Sequence, residues 1–287
     1  MSVCIFAPAK INLTLEVGRP RADGMHPLQS VAMFADVGDW VAAAEADALS
    51  LRIEGEFACD LSADADNLVL RAARALAIAA GVEAPRAALT LIKNLPVASG
   101  IGGGSADAAA ALRALNRLWR LDLDDAALAD IARALGADVP VCVFGRAAYL
   151  TGTGVEAAPL ALPMLHAVLV NPLQKLATAA VYRQFDELGL GEDFEARAAP
   201  SWRSVSEVIA GAASFGNDLE PAAHTLMPAL TEISDAVASD RRVRHAALSG
   251  SGATMFGLTA SAEDAAGFAA DLAAAHPHWW VRPARLA

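Results

Sequence analysis

Between Leu95 and Trp119 the chain reads LPVASGIGGGSADAAAALRALNRLW. Gly100, Gly102, Gly103 and Gly104 stand too close together for a regular helix or strand, where glycine is costly. From Ser105 the sequence is rich in alanine and leucine and free of proline, which makes it strong helix former. Any fold of this chain must therefore hold a glycine loop that feeds the N-terminus of a helix. Such a terminus presents unsatisfied N–H groups and the positive end of the helix dipole. With no Cβ in the way an anion reaches the backbone, and phosphate is the usual guest. A simple turn before a helix fits the glycines equally well. Two familiar phosphate templates do not fit. A P-loop needs a lysine directly after its last glycine, and none follows Gly104. The dinucleotide fingerprint needs a glycine where Ser105 stands, and Pro96 separates any strand from the loop.

The 287 residues exceed one ordinary hydrophobic core, so two domains are expected. A net charge of -11 argues against nucleic acid and anionic membrane surfaces as partners of the whole molecule. A small anionic substrate remains compatible, since local lysines and helix ends can outweigh the global field. Cys4, Cys59 and Cys142 are widely spaced and show no metal-type pairing, which fits a reduced, cytoplasmic setting. The opening MSVCIFAPAKINLTLEV lacks a basic start followed by an apolar core, so no secretory signal is expected. No apolar run approaches the roughly 20 residues needed to span a bilayer.

Residues 3–17 read as a strand broken at Pro8, and 18–30 as loop with a turn at Asp23-Gly24. Lys10 alone reads as solvent-facing, and His26 as an exposed loop residue. Further strands are expected within 31–57, a helix over 67–80, and a strand over 88–92. After the glycine-loop helix comes a second helix ending at Gly136. Asp138 follows between that glycine and Pro140, either as a turn residue bonding its own neighbours or as a functional carboxylate. Residues 141–151 read as a strand or strand pair. In the second half, 165–171 reads as a strand, 177–189 as a helix and 190–204 as loop. A helix follows 217–221 and continues over 227–239; 246–258 reads as strand–turn–strand around Gly250 and Gly252. Residues 262–275 read as an amphipathic helix, and 278–286 as an edge strand carrying Pro283. Interleaved strands and helices in both halves indicate α/β or α+β.

PAKINL at 8–13, LPVASGIGGGSADAA at 95–109 and LSGSGATMFG at 248–257 resemble, in this order, the three motifs of the GHMP small-molecule kinases. RADGMHPLQS at 21–30, GADVPVCVFG at 136–145 and FGNDLEP at 215–221 resemble the branch of that superfamily that acts on a cytidine diphosphate sugar-alcohol. The resemblance implies a two-domain α+β fold. Residues 1–157 would form an N-terminal domain like ribosomal protein S5 domain 2, and 158–287 a ferredoxin-like C-terminal domain. It implies phosphoryl transfer from ATP, with Mg2+, to a hydroxyl of a small-molecule substrate, in isoprenoid precursor synthesis. It implies no nucleic-acid or membrane partner, and a monomer or weak homodimer.

Carried over residue by residue, the resemblance makes Asp138 the general base. Lys10 would keep Asp138 ionised and offset charge developing in transfer. Pro96, Val97, Ala98, Ser99, Gly100, Ile101, Gly102, Gly103, Gly104 and Ser105 would wrap the ATP phosphates, with Asn67 and Lys93 at the adenine. Asn12 would position the acceptor, and Gly250, Ser251 and Gly252 would form a backbone wall beside it. His26 would read the cytosine edge, largely through its backbone, with Tyr182 and Met25 covering the ring. Ser105 would contact a phosphate or the magnesium sphere, and no set of metal-ligating side chains is assigned. Two positions depart from the pattern: the relatives usually carry an aromatic residue where Met25 stands and glycine where Leu173 stands. Met25 can still cover a ring by a sulfur–aromatic contact. Another GHMP kinase acting on a different alcohol is the alternative that Met25 favours. A ligand sensor without turnover should lack the Lys10 and Asp138 pair, and both are present.

Overall fold

The computed structural model describes residues 2–287. The elements follow in the order β1 (Ser2–Asn12), β2 (Glu16–Val17), β3 (Leu28–Ala44), β4 (Leu49–Glu54), α1 (Leu68–Ala79), β5 (Ala87–Ile92), α2 (Gly103–Trp119), α3 (Asp125–Ala132) and α4 (Val139–Phe144). Then come β6 (Ala148–Thr151), β7 (Glu156–Pro159), β8 (Leu165–Asn171), α5 (Thr178–Glu187), α6 (Val205–Phe215), α7 (Glu220–Leu226), α8 (Ala229–Ala238), β9 (Val243–Leu248), β10 (Met255–Thr259), α9 (Ala262–Ala275) and β11 (Trp280–Leu286).

The chain forms two compact units that interleave in sequence. The first holds the residues up to Ala9, Gly38–Val97 and Gly102–Gly145. In it the C-terminal part of β3 runs antiparallel to β5, Trp40 opposite Ile92, and β5 runs parallel to β4. β5 alternates, burying Ala87, Leu89 and Leu91 while the residues between them stay half-buried. Helix α1 buries Val69, Leu70, Ala72, Ala73, Leu76 and Ala77 along one face and packs on α2, which also packs on α4. α2 is buried nearly all round, because its alanines let neighbouring helices approach closely.

The second unit holds Lys10–Val37, Ala98–Ile101 and Arg146–Ala287. Its central strands run β11-β8-β10-β9, each antiparallel to the next. Val168, Val170 and Met255 from these strands pack with Phe185 of α5, Leu219, Ile233 of α8, and Phe268 and Leu272 of α9 in one core cluster. Antiparallel strands with helices packed on them make this the α+β arrangement that the resemblance implied.

Three sequence expectations give way to the structure. β1 runs through Pro8 unbroken; among the described residues it pairs only with β3, so an edge carries the missing N–H. Residues Val139–Phe144, expected as strand, form α4. Pro140 suits the first helical turn, where its fixed φ fits and its absent N–H is not missed. Val139, Pro140, Val141, Cys142 and Val143 are all buried, so the segment has no polar face from which a helical period could be read. β11 is not an edge strand. It pairs along its length with β8 and, at Leu286, with Ala35 of β3. Pro283 falls in the stretch that has β8 alone as neighbour. Helix α6 had no counterpart in the sequence reading, although Ser204 and Glu207 form a capping box at its start.

Candidate active site

In the first unit Gly102 is the N-cap of α2, in the left-handed conformation at φ 64°, and no side chain caps the helix. The first intrahelical bond runs from the Ala106 N–H to the Gly102 carbonyl at 2.9 Å. Gly104 is exposed and Ser105 half-buried, so the first turn opens outward with backbone donors and no side chain across them. The glycine loop thus feeds a helix N-terminus, as the sequence leads one to expect.

Beneath it lies a buried charge cluster. Lys93 Nζ donates to Asp39 Oδ2 at 2.5 Å and to Asp107 Oδ2 at 2.7 Å, and all three residues are buried. Asp39 Oδ1 also accepts from the backbone N–H groups of Asn94 and Leu95, at 2.5 and 2.8 Å. The three residues thus tie the segment leading into the loop to the first turns of α2. A Cβ on Gly103 would stand 3.0 Å from Lys93 Nζ, so a side chain there would crowd the ammonium where the helix crosses it. Asp107 Oδ1 is buried without a hydrogen-bond partner. Burial pushes the Asp107 carboxyl up to about 8; Lys93 pulls it down, but Asp39, sharing the same ammonium, pushes it up again. Burial alone would lower the Lys93 pKa, yet Asp107 and Asp39 outweigh it and hold it above the ordinary lysine value.

A cavity of about 300 Å³ adjoins this cluster, lined by Asn67, Leu68, Val69, Leu91, Gly104 and Asp107 among others. Asn67 caps α1: its Oδ1 accepts from the Val69 N–H at 3.0 Å and its Nδ2 donates to the Ser62 carbonyl at 2.8 Å. Lys93 is 2% exposed and spends its ammonium on the two carboxylates. Asp138 holds the N-cap position of α4, but its side chain makes no capping bond, which removes one structural reason for a carboxylate there.

In the second unit three sequence-distant segments meet through their backbones. The Lys10 N–H donates to the Ile101 carbonyl at 2.9 Å. The Ser99 carbonyl accepts from the Thr254 N–H at 3.0 Å and its Oγ1 at 2.6 Å. Ser249 Oγ donates to the Gly100 carbonyl at 3.2 Å and accepts the Asn12 N–H at 3.1 Å. Asn217 Nδ2 donates to the Leu248 and Gly250 carbonyls, both at 2.8 Å. Asn12 Nδ2 donates to Ser30 Oγ at 2.7 Å, and Ser251 Oγ lies 2.9 Å from Thr178 Oγ1. The side chain of Lys10 is buried. Leu173 adopts φ 58°, so it keeps the left-handed conformation that glycine prefers, and its N–H donates to Asn171 Oδ1 at 2.8 Å.

The same unit holds His26 and Tyr182 together, their ring centroids 4.9 Å apart and tilted by 50°. His26 Nε2 lies 2.9 Å from Asp186 Oδ1, one helical turn beyond Tyr182. Met25 is 48% exposed, so its thioether is available to a ligand ring.

The family model described as GHMP kinases N terminal domain matches residues 67–146, and GHMP kinases C terminal matches residues 194–278. The chain belongs to the GHMP kinase family. A 4-diphosphocytidyl-2-C-methyl-D-erythritol kinase of Cereibacter sphaeroides is 48% identical over 286 residues, covering 98% of each chain. One of Parvibaculum lavamentivorans is 50% identical over 276 residues, covering 96% of this chain and 95% of its own. A solved 4-(cytidine 5'-diphospho)-2C-methyl-D-erythritol kinase superposes with a TM-score of 0.78 at 31% identity, covering 99% of both chains. A homoserine kinase from Cytophaga hutchinsonii, at 18% identity and a TM-score of 0.72, shares the fold.

In this GHMP kinase the glycine loop before α2 is legible in the sequence, whereas the pairings of Asp39, Asp107 and Asp186 are not. Asp39 lies 54 residues from Lys93, with no periodicity linking them. Asp186 had a usable signal, four residues after Tyr182 on a segment already read as helical.

Proposed function

We propose that the chain is an ATP-dependent kinase that phosphorylates a hydroxyl of 4-diphosphocytidyl-2-C-methyl-D-erythritol, giving the 2-phosphate and ADP. The observation that carries this reading is identity of 48% and 50% over nearly full length to two proteins of that name. The open first turn of α2 supports it, because uncapped N–H groups there suit a polyphosphate.

In this reading the backbone from Pro96 to Ser105 donates to the ATP phosphates, and the cavity beside Asn67 receives the nucleoside. Lys93 acts from below, as the buried tie that holds Gly103 and the loop entrance in place. Asp138 takes the proton from the acceptor hydroxyl as it attacks, and Lys10 offsets the charge that develops. Asn12 and the Gly250–Gly252 backbone orient the acceptor, while His26, Tyr182 and Met25 hold its cytosine. Catalysis then rests mainly on alignment and charge neutralisation. This reading has magnesium arrive with the nucleotide. It sets the enzyme in the cytoplasm, in isoprenoid precursor synthesis.

A second reading, a GHMP kinase for another small alcohol, draws on Met25 standing where an aromatic residue is usual. ADP release from ATP and magnesium, with 4-diphosphocytidyl-2-C-methyl-D-erythritol offered beside homoserine, mevalonate and galactose, separates the two. Turnover confined to the cytidine compound is expected. Turnover confined to another alcohol overturns the substrate assignment.

A further inference from the structure

His26 sits on the loop between β2 and β3, and its ring is held from three sides. Tyr182 faces it at 4.9 Å, Phe185 meets it edge-on at 6.0 Å, and Asp186 Oδ1 lies 2.9 Å from Nε2. Tyr182, Phe185 and Asp186 occupy one face of α5, at spacings of three and four residues. The His26 side chain is 9% exposed and that of Asp186 39%, so a carboxylate at the surface reaches a largely buried ring. The loop itself is braced: the Gly18 N–H donates to the Pro27 carbonyl, the Arg21 N–H to the Met25 carbonyl, and the Met25 N–H to Asp23 Oδ1.

A carboxylate oxygen only accepts, so the neutral imidazole facing Asp186 carries its proton on Nε2. Nδ1 is then left with a lone pair and accepts. This choice has a chemical consequence for a pyrimidine. Cytosine bears an amino group at position 4, which donates, and uracil bears an oxygen there, which accepts. A ring locked with an acceptor at Nδ1 complements the first and opposes the second. Orientation by the outer carboxylate is the device by which histidines are held in one tautomer at metal sites.

We propose that Asp186 is a positioning residue that holds His26 in the Nε2–H tautomer, and that His26 so held favours cytosine over uracil in the acceptor. The inference rests on the cytidine reading given above. Asp186 touches neither nucleotide nor reacting hydroxyl; it acts through His26.

The test uses the full chain and compares kcat/KM for the cytidine diphosphate acceptor with that for its uridine counterpart. In Asp186→Ala the cytidine preference should fall by about tenfold, the worth of one misplaced hydrogen bond. KM for ATP should stay within about twofold of wild type, which a general loss of structure would not allow. Asp186→Asn, whose amide oxygen still accepts from Nε2, should retain most of the preference. His26→Gln should lose it, and adding Asp186→Ala to that variant should change nothing more, because the effect runs through the ring. An unchanged cytidine-to-uridine ratio in Asp186→Ala, with the wild type turning over the cytidine compound, overturns the inference and leaves the kinase reading intact. A wild type that turns over neither compound removes both.

Discussion

Gly100→Ala tests how the glycine loop is held. Gly100 has φ +76°, and a Cβ there would stand 2.5 Å from the Ser249 carbonyl oxygen, 2.6 Å from that of Gly252 and 2.7 Å from the Gly252 nitrogen. All three are backbone atoms and cannot rotate away. The left-handed conformation costs an L-residue about 1–2 kcal/mol. Forcing the surrounding loop apart adds about 1–3 kcal/mol, for a total of about 2–5 kcal/mol. Taking about 2.1 cal/mol/K of unfolding entropy per residue over 287 residues, Tm should fall by about 3–8 °C. Gly81→Ala is the control. Gly81 has a similar φ of +67° with nothing within 4 Å of the added carbon, so only the conformational penalty of about 1–2 kcal/mol applies. Scanning calorimetry of both variants separates strain from crowding, and KM for ATP should rise in Gly100→Ala alone. Equal Tm shifts in the two would refute the claim that the loop backbone is packed against 249–252.

Other consequences can be measured independently. Asp138→Ala should lower kcat by about a hundredfold or more, as loss of a general base does, with ATP affinity nearly unchanged by equilibrium titration; near-normal turnover would end its assignment. Tyr182→Ala should raise KM for the cytidine acceptor more than KM for ATP in steady-state kinetics, and equal effects would count against stacking. For Asp107 the folded pKa of about 8 stands above the ordinary aspartate value of about 3.9, so the folded state holds the extra proton over that range. Its contribution to stability is complete below about pH 4 and is lost as pH climbs toward 8. Asp107→Asn should therefore gain in Tm relative to wild type between pH 5 and pH 9, and a constant difference would show that Asp107 is ionised throughout.

Legibility in the sequence followed the range of the interactions. The glycine loop and α2 could be read because both depend on local backbone chemistry, and β5, β8 and α9 because apolar spacing is periodic. α4 was misread because a short helix buried on every side looks like a buried strand. β11 was misread because Pro283 says only that one flank lacks a partner there, not that the whole strand is an edge. The charge cluster of Lys93, Asp39 and Asp107 was invisible for a different reason. Each residue is an ordinary charged side chain in its own window, and only the fold buries them on one another. The joining of residues 10–12, 99–101 and 249–254 was foreshadowed by the family motifs, whereas the bonds that make it, some between backbones and some from Ser249 and Thr254 side chains to backbone, leave no pattern.

The most direct test of the central claim is a 31P spectrum of the enzyme incubated with ATP, magnesium and 4-diphosphocytidyl-2-C-methyl-D-erythritol. The account predicts a new phosphomonoester resonance that grows in step with ADP while the cytidine diphosphate signals persist. ADP accompanied only by inorganic phosphate, or no ADP at all, would contradict it.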